Sequence, residues 1–145
     1  MFIHSTITLP SLEEGDKKVR DLTLSSHTIG MNLSSPDELY FIPIINVSTE
    51  EYNDWHKIIF KDDSFMVVDK NAKFLLEDNT SMTAEEIDVI HRLYSLSGEN
   101  IQIKEKKEFG RSSLAYKLSF SDDVDIVFLG EIGFKIREDT DERVN

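Results

Sequence analysis

Ser48-Thr49-Glu50-Glu51-Tyr52-Asn53-Asp54-Trp55-His56-Lys57-Ile58-Ile59-Phe60 is the stretch on which the fold turns. Ser48 stands three residues before Glu51, the spacing at which a hydroxyl and a carboxylate can cap each other's backbone amides. Glu50, Glu51 and Asp54 suit the positive end of a helix dipole. Tyr52, Trp55, Ile58 and Ile59 recur at helical spacing. The pattern predicts a helix over 49–60. Thr83-Ala84-Glu85-Glu86 repeats the capping signature, Ile87, Ile90, Leu93 and Tyr94 supply an apolar stripe, and Gly98 suits a helix end.

The rest of the chain reads as strands. Residues 2–9 alternate in polarity until Pro10 and the Glu13-Glu14-Gly15-Asp16 cluster interrupt them. Strand patterns follow at 19–24 and 29–33, with a turn signal at 34–37. Residues 40–45 form an apolar strand whose Pro43 suggests an edge or a bulge. Residues 64–69 and 72–77 read as a hairpin around Lys70-Asn71. Residues 101–103, 113–120 and 124–136 read as an antiparallel meander that turns at Asp122-Asp123 and bends at Gly130 or Gly133. The fold class expected is α+β, a mainly antiparallel β-sheet with two α-helices packed on it. Residues 1–145 form one acidic globular domain in this reading, with 138–145 frayed.

Charge narrows the function classes. The chain has 28 Asp and Glu against 16 Lys and Arg, a net charge of −12. At 39% hydrophobic and 10% aromatic residues it is too apolar for a disordered acidic tail. Residues 48–97 hold 11 of the acids and 5 of the bases, so the excess is greatest across the two expected helices and the hairpin between them. Such a surface repels nucleic acid and anionic membranes and attracts basic partners. Cysteine is absent, which excludes disulfides, thiolate metal sites and a Cys nucleophile. The opening Met-Phe-Ile-His-Ser-Thr lacks a signal-peptide pattern, and the expected location is the cytoplasm.

Catalytic patterns are sparse. His4-Ser5-Thr6 fits the His-x-Thr motif of two-histidine phosphoesterases, but His27-Thr28-Ile29 does not provide the second copy that such chemistry needs. His91 sits beside the stripe of the second expected helix. Asp62-Asp63 and Asp122-Asp123-Val124-Asp125 are the densest acid pairs, at turn positions that favour Asp for local reasons. No calcium-loop, phosphate-loop, dinucleotide or nucleophile-elbow motif occurs. Lys104-Glu105-Lys106-Lys107 with Arg111 is offset by Glu105 and Glu108. The reading therefore includes no cofactor, no metal and no catalytic residue.

One segment resembles a known family. Ile42-Pro43-Ile44, Glu51-Tyr52 and Trp55 resemble a stretch of contact-dependent growth inhibition immunity proteins: an apolar-Pro-apolar strand, then a capped helix with an acid-Tyr pair and a Trp. The pattern differs at Val47, where an aromatic is usual, and in a Trp one residue closer to the tyrosine. The resemblance implies a non-enzymatic immunity protein that neutralises a basic toxin domain, a nuclease, inside the cell. Its contacts would be Glu50, Glu51, Asp54, Asp62, Asp63, Glu85, Glu86 and Asp88, steering the partner electrostatically. Two alternatives share the observations. One is a phage or mobile-element mimic of nucleic acid that inhibits a host defence enzyme. The other is a small His-dependent phosphoesterase using His4.

Overall fold

The computed structural model describes residues 3–4, 8–11, 15–18, 27–99, 101–110, 112–120 and 124–136. Among the described residues fourteen strands run in chain order: β1 (Ile3–His4), β2 (Thr8–Ser11), β3 (Gly15–Lys18), β4 (His27–Asn32), β5 (Ser35–Tyr52), β6 (Trp55–Phe60), β7 (Phe65–Asp69), β8 (Lys73–Leu75), β9 (Ser81–Thr83), β10 (Arg92–Leu93), β11 (Ile101–Phe109), β12 (Ser113–Phe120), β13 (Ile126–Leu129) and β14 (Ile132–Lys135). Twelve join one antiparallel sheet in the order β10-β11-β6-β7-β1-β12-β5-β4-β13-β14-β8-β9, and β2 pairs with β3 apart. A bridge between Leu76 and Leu93 then ties the residue after β8 to β10, flanked by Tyr94 N–H to Leu75 O at 2.9 Å and Glu77 N–H to Arg92 O at 3.1 Å. The bridge brings β10, at one end of the strand order, back to the end of β8, next to last at the other, while β9 pairs only with β8 among the described residues.

None of the described residues forms a helix, so the α+β expectation is overturned in favour of an all-β fold. The 49–60 segment runs as the end of β5 and the whole of β6. Its residues also carry a two-residue period. His56, Ile58 and Phe60 are buried, with Lys57 and Ile59 only half-buried between them. Two apolar neighbours reward that period: β7 pairs Ile58 with Met66, and β12 pairs Tyr52 with Ser113 through Phe120 with Ile44. Branched Val47, Ile58 and Ile59 suit the pleat better than a helix. The Ser48–Glu51 box never closes, because the two residues lie opposite Lys117 and Leu114 in the ladder.

The second box does close. Thr83 Oγ1 donates to Glu86 Oε1 at 3.0 Å, and Glu86 N–H donates back to Thr83 Oγ1 at 3.2 Å. One turn forms, with Ile87 N–H on Thr83 O at 2.9 Å. The helix stops there because Lys106 takes its acceptors. The ammonium donates to the carbonyls of Ala84 at 3.0 Å, Glu85 at 2.8 Å and Ile87 at 2.7 Å, which helix continuation would need. Ile87 and Leu93 are buried while Ile90 is 81% exposed, so the expected stripe is not a face at all.

Several strand readings stand and others are re-paired. β4 covers most of 29–33, and Pro43 lies in β5 opposite His27, next to the shift in the β12 register between Ser119, opposite Asn46, and Phe120, opposite Ile44. Pro10 does not interrupt: it lies within β2 opposite Asp16. β7 and β8 exist but do not pair with each other; β7 lies between β6 and β1, and β8 between β14 and β9. Residues 124–136, expected as one bending strand, are instead two, β13 and β14, paired as a hairpin that turns at Gly130 with φ +62°. β11 and β12 do not pair with each other: β11 lies between β10 and β6, and β12 between β1 and β5. Residues 19–24, Asp122-Asp123 and 138–145 lie outside the described residues.

The core is a continuous apolar layer that includes Ile42, Ile44, Ile58, Phe74, Leu93 and Phe134. Phe74 and Phe134 stack across β8 and β14 at 4.5 Å. Gly30 lets β4 pass close to β13, since any Cβ there would sit 2.9 Å from the Ile126 carbonyl oxygen and against the Ile42 side chain.

Candidate active site at the β7–β8 corner

Strand pairing makes the corner at residues 69–73 distinctive. On one side β7 pairs Val68 with Ile3 of the first strand. On the other, β8 pairs Lys73 with Lys135 of the last described strand. One short turn thus joins the strands that hold the two ends of the described chain. It is held by Ala72 N–H on Asp69 O at 3.1 Å, Ala84 N–H on Ala72 O at 2.8 Å and Glu85 N–H on Lys70 O at 3.0 Å.

Asp69 closes β7 with only 4% of its surface exposed. Trp55 lies opposite it on β6, and Trp55 Nε1 donates to Tyr52 O at 2.9 Å. The Tyr52 and Trp55 rings meet edge to face at 5.0 Å. Burial pushes the Tyr52 phenol above its ordinary value, and the Asp69 and Asp54 carboxylates push it further, against the opposing influence of Lys70. Lys70 pairs with Asp54 at 3.0 Å, and Asp54 first and then Glu85 hold its ammonium above the ordinary lysine value. The corner therefore combines a buried carboxylate, a phenol kept protonated and a cation.

His56 lies one residue from Trp55, in a row with Val68, Ile3 and Glu108 across four strands. It is 4% exposed, and its Nδ1 has no hydrogen-bond partner among the described residues. The other histidines are spread out. His4 lies opposite Ala115, His27 opposite Pro43, and His91 Nδ1 accepts the Asp88 N–H at 2.9 Å. No group of three or more metal-ligating side chains occurs among the described residues.

The eight acids expected to form one surface fall in several places. Glu50 and Glu51 are exposed on β5, and Glu51 accepts from Ser112 Oγ at 2.9 Å. Asp62 and Asp63 lie at the β6–β7 turn, where Asp62 binds Ser64 and Asp63 pairs with Lys104 at 2.7 Å. Asp54 and Glu85 meet at the corner around Lys70, while Glu86 is engaged by Thr83 and Asp88 caps Val89 N–H. Sequence reading placed Tyr52 and Trp55 on the apolar face of a helix and passed over Asp69 as the end of a hairpin strand. Nothing local marks Asp69; pairing of β7 with β1 and of β8 with β14 is what gives it a place.

No family model and no curated protein matches the chain. Solved structures do. A bacterial intein-like domain from Clostridium thermocellum aligns with a TM-score of 0.81 and 14% identity, over 93% of this chain and 98% of that one. A DnaB intein from Synechocystis sp. PCC 6803 aligns at 0.78 and 13%, over 94% and 99%. The MchDnaB-1 intein aligns at 0.70 and 11%, over 94% and 100%. At these identities the likeness is one of fold, and the fold is that of inteins. It overturns the immunity-protein resemblance of segment 42–55, whose expected helix is strand. It equally overturns the non-enzymatic toxin inhibitor, its basic nuclease partner, and both alternatives, the nucleic-acid mimic and the phosphoesterase.

Proposed function

We propose that this chain is an intein-type processing domain that acts on peptide bonds of the polypeptide carrying it. The observation that carries the reading is the corner at 69–73, flanked by the first strand and the last described strand. A domain that works on its own flanking segments must bring both of them to one set of chemical groups, and this topology does so. The likeness to inteins in fold supports it.

The corner's groups suit acyl chemistry. Asp69 is placed to accept a proton and the protonated Tyr52 phenol to donate one. The burial of Asp69 strengthens each electrostatic interaction it makes there. The chain has no cysteine and so supplies no thiol nucleophile of its own, and the attacking atom in this proposal is a hydroxyl or water oxygen. Such an oxygen is a weak nucleophile until a base takes its proton, which is the role assigned to Asp69.

The test is a fusion with a stably folded reporter on each side, followed by intact-mass spectrometry. Released or joined reporters are the expected products, and Asp69→Asn and Tyr52→Phe each slow their appearance by about 100-fold. A precursor that stays at full mass while circular dichroism shows it folded overturns the proposal.

A further inference from the structure

At the far end of β6 and β7 from the corner lies a cavity of about 530 Å³. Phe65 at its mouth lies four residue steps along β7 from Asp69, about 13 Å of extended chain. The cavity is therefore a separate feature. Its floor is Phe60, Met66, Ile101, Leu129 and Ile132, of which all but Ile101 are buried. Its rim carries Asp62, Glu99 and Glu131 against a single cation, Lys61.

We propose that this cavity binds a small organic cation with an apolar body, an arylalkyl ammonium in chemical class, with its ring on the floor and its charge among the three carboxylates. The volume falls within the roughly 300–1,000 Å³ of small-molecule sites. The floor supplies apolar area, while three acids against one base reject an anion and attract a cation. A purely apolar ligand would leave those charges uncompensated, and a bare metal ion would gain nothing from the floor.

The rim is built before any ligand arrives. Asp62 Oδ1 accepts Ser64 N–H at 3.0 Å and Ser64 Oγ at 2.5 Å. These bonds hold its carboxyl below the ordinary value, so it stays charged in mild acid. Glu131 Oε1 accepts Ser97 N–H at 2.9 Å, and Leu96 N–H reaches Glu131 O at 2.7 Å. Lys61 N–H donates to Gln102 O at 3.1 Å, which ties the β6–β7 turn to β11. A rim with fixed carboxylates loses little freedom when a ligand binds.

The experiment uses the full 145-residue chain in methyl-detected NMR titrations with phenethylamine and its anionic counterpart hydrocinnamate. The amine is expected to shift the Met66, Ile101, Leu129 and Ile132 methyls saturably, and the acid to leave them in place. Glu99→Gln with Glu131→Gln, exposed and compatible with folding, weakens amine binding about tenfold. The inference is overturned if the acid binds as well as the amine, if the methyls do not move up to the amine's solubility limit, or if the double variant binds the amine unchanged.

Discussion

Replacing Lys106 with Met tests the reason the second predicted helix ends after one turn. Met keeps most of the aliphatic stem and removes only the ammonium. Three contacts are lost, to the carbonyls of Ala84, Glu85 and Ile87. A shielded hydrogen bond from a charged donor contributes about 1.5–3 kcal/mol. The site is half-buried and the Glu85 contact is exposed. We therefore count about 1 kcal/mol for each bond, or about 3 kcal/mol in all. For a chain of this size that is a fall in Tm of about 6–12 °C. Urea unfolding followed by the single tryptophan, Trp55, measures it. Hydrogen exchange localises the effect, with the amides of Ile87 and His91 losing protection first. A loss under about 0.5 kcal/mol, with exchange at those amides unchanged, would refute the reasoning.

Two further outcomes follow from the packing and the turns. Phe134→Ala removes the ring stacked on Phe74 in a fully buried site, and is expected to cost about 3–5 kcal/mol in the same urea assay. The Asp62 and Asp78 carboxyls are held below the ordinary 3.8, foremost by the hydroxyls of Ser64 and Thr80. Lowered folded-state values mean the unfolded chain binds more protons, so this stabilisation is present above pH 3.8 and is lost as pH falls through the lower folded values. Asp62→Asn with Asp78→Asn should narrow the gap in urea midpoint between about pH 5 and about pH 3; an unchanged gap would rule out a contribution from these turns.

Particular residues show where sequence reading succeeded. The apolar run before Asp69 and the strand at 113–120 were legible, because each rests on neighbours within a few positions, whereas at Gly130 only a bend within one strand was read where the structure has a hairpin turn. The Thr83–Glu86 box was legible as well, and it forms. What failed was the step from a start signal to a helix. Ser48-Thr49-Glu50-Glu51 is as good a start as Thr83-Ala84-Glu85-Glu86, yet in one place β12 claims the backbone, and in the other Lys106 claims the carbonyls. Both competitors lie at least 19 positions away along the chain. The candidate site was hidden for the same reason: Asp69 gains meaning only from Ile3 and Lys135.

Composition alone determined that the chain is acidic, folded and without any thiol, since those properties depend on residue counts and not on arrangement. Local patterning determined most strand positions, because alternation over a few residues is sufficient to define a face. Only the tertiary structure decided between helix and strand at 49–60, where both periods are written into the same residues and the ladder partners break the tie. It alone brought the chain's first strand and last described strand to one buried carboxylate. Register between distant strands is set by the whole sheet at once, and no single segment contains it.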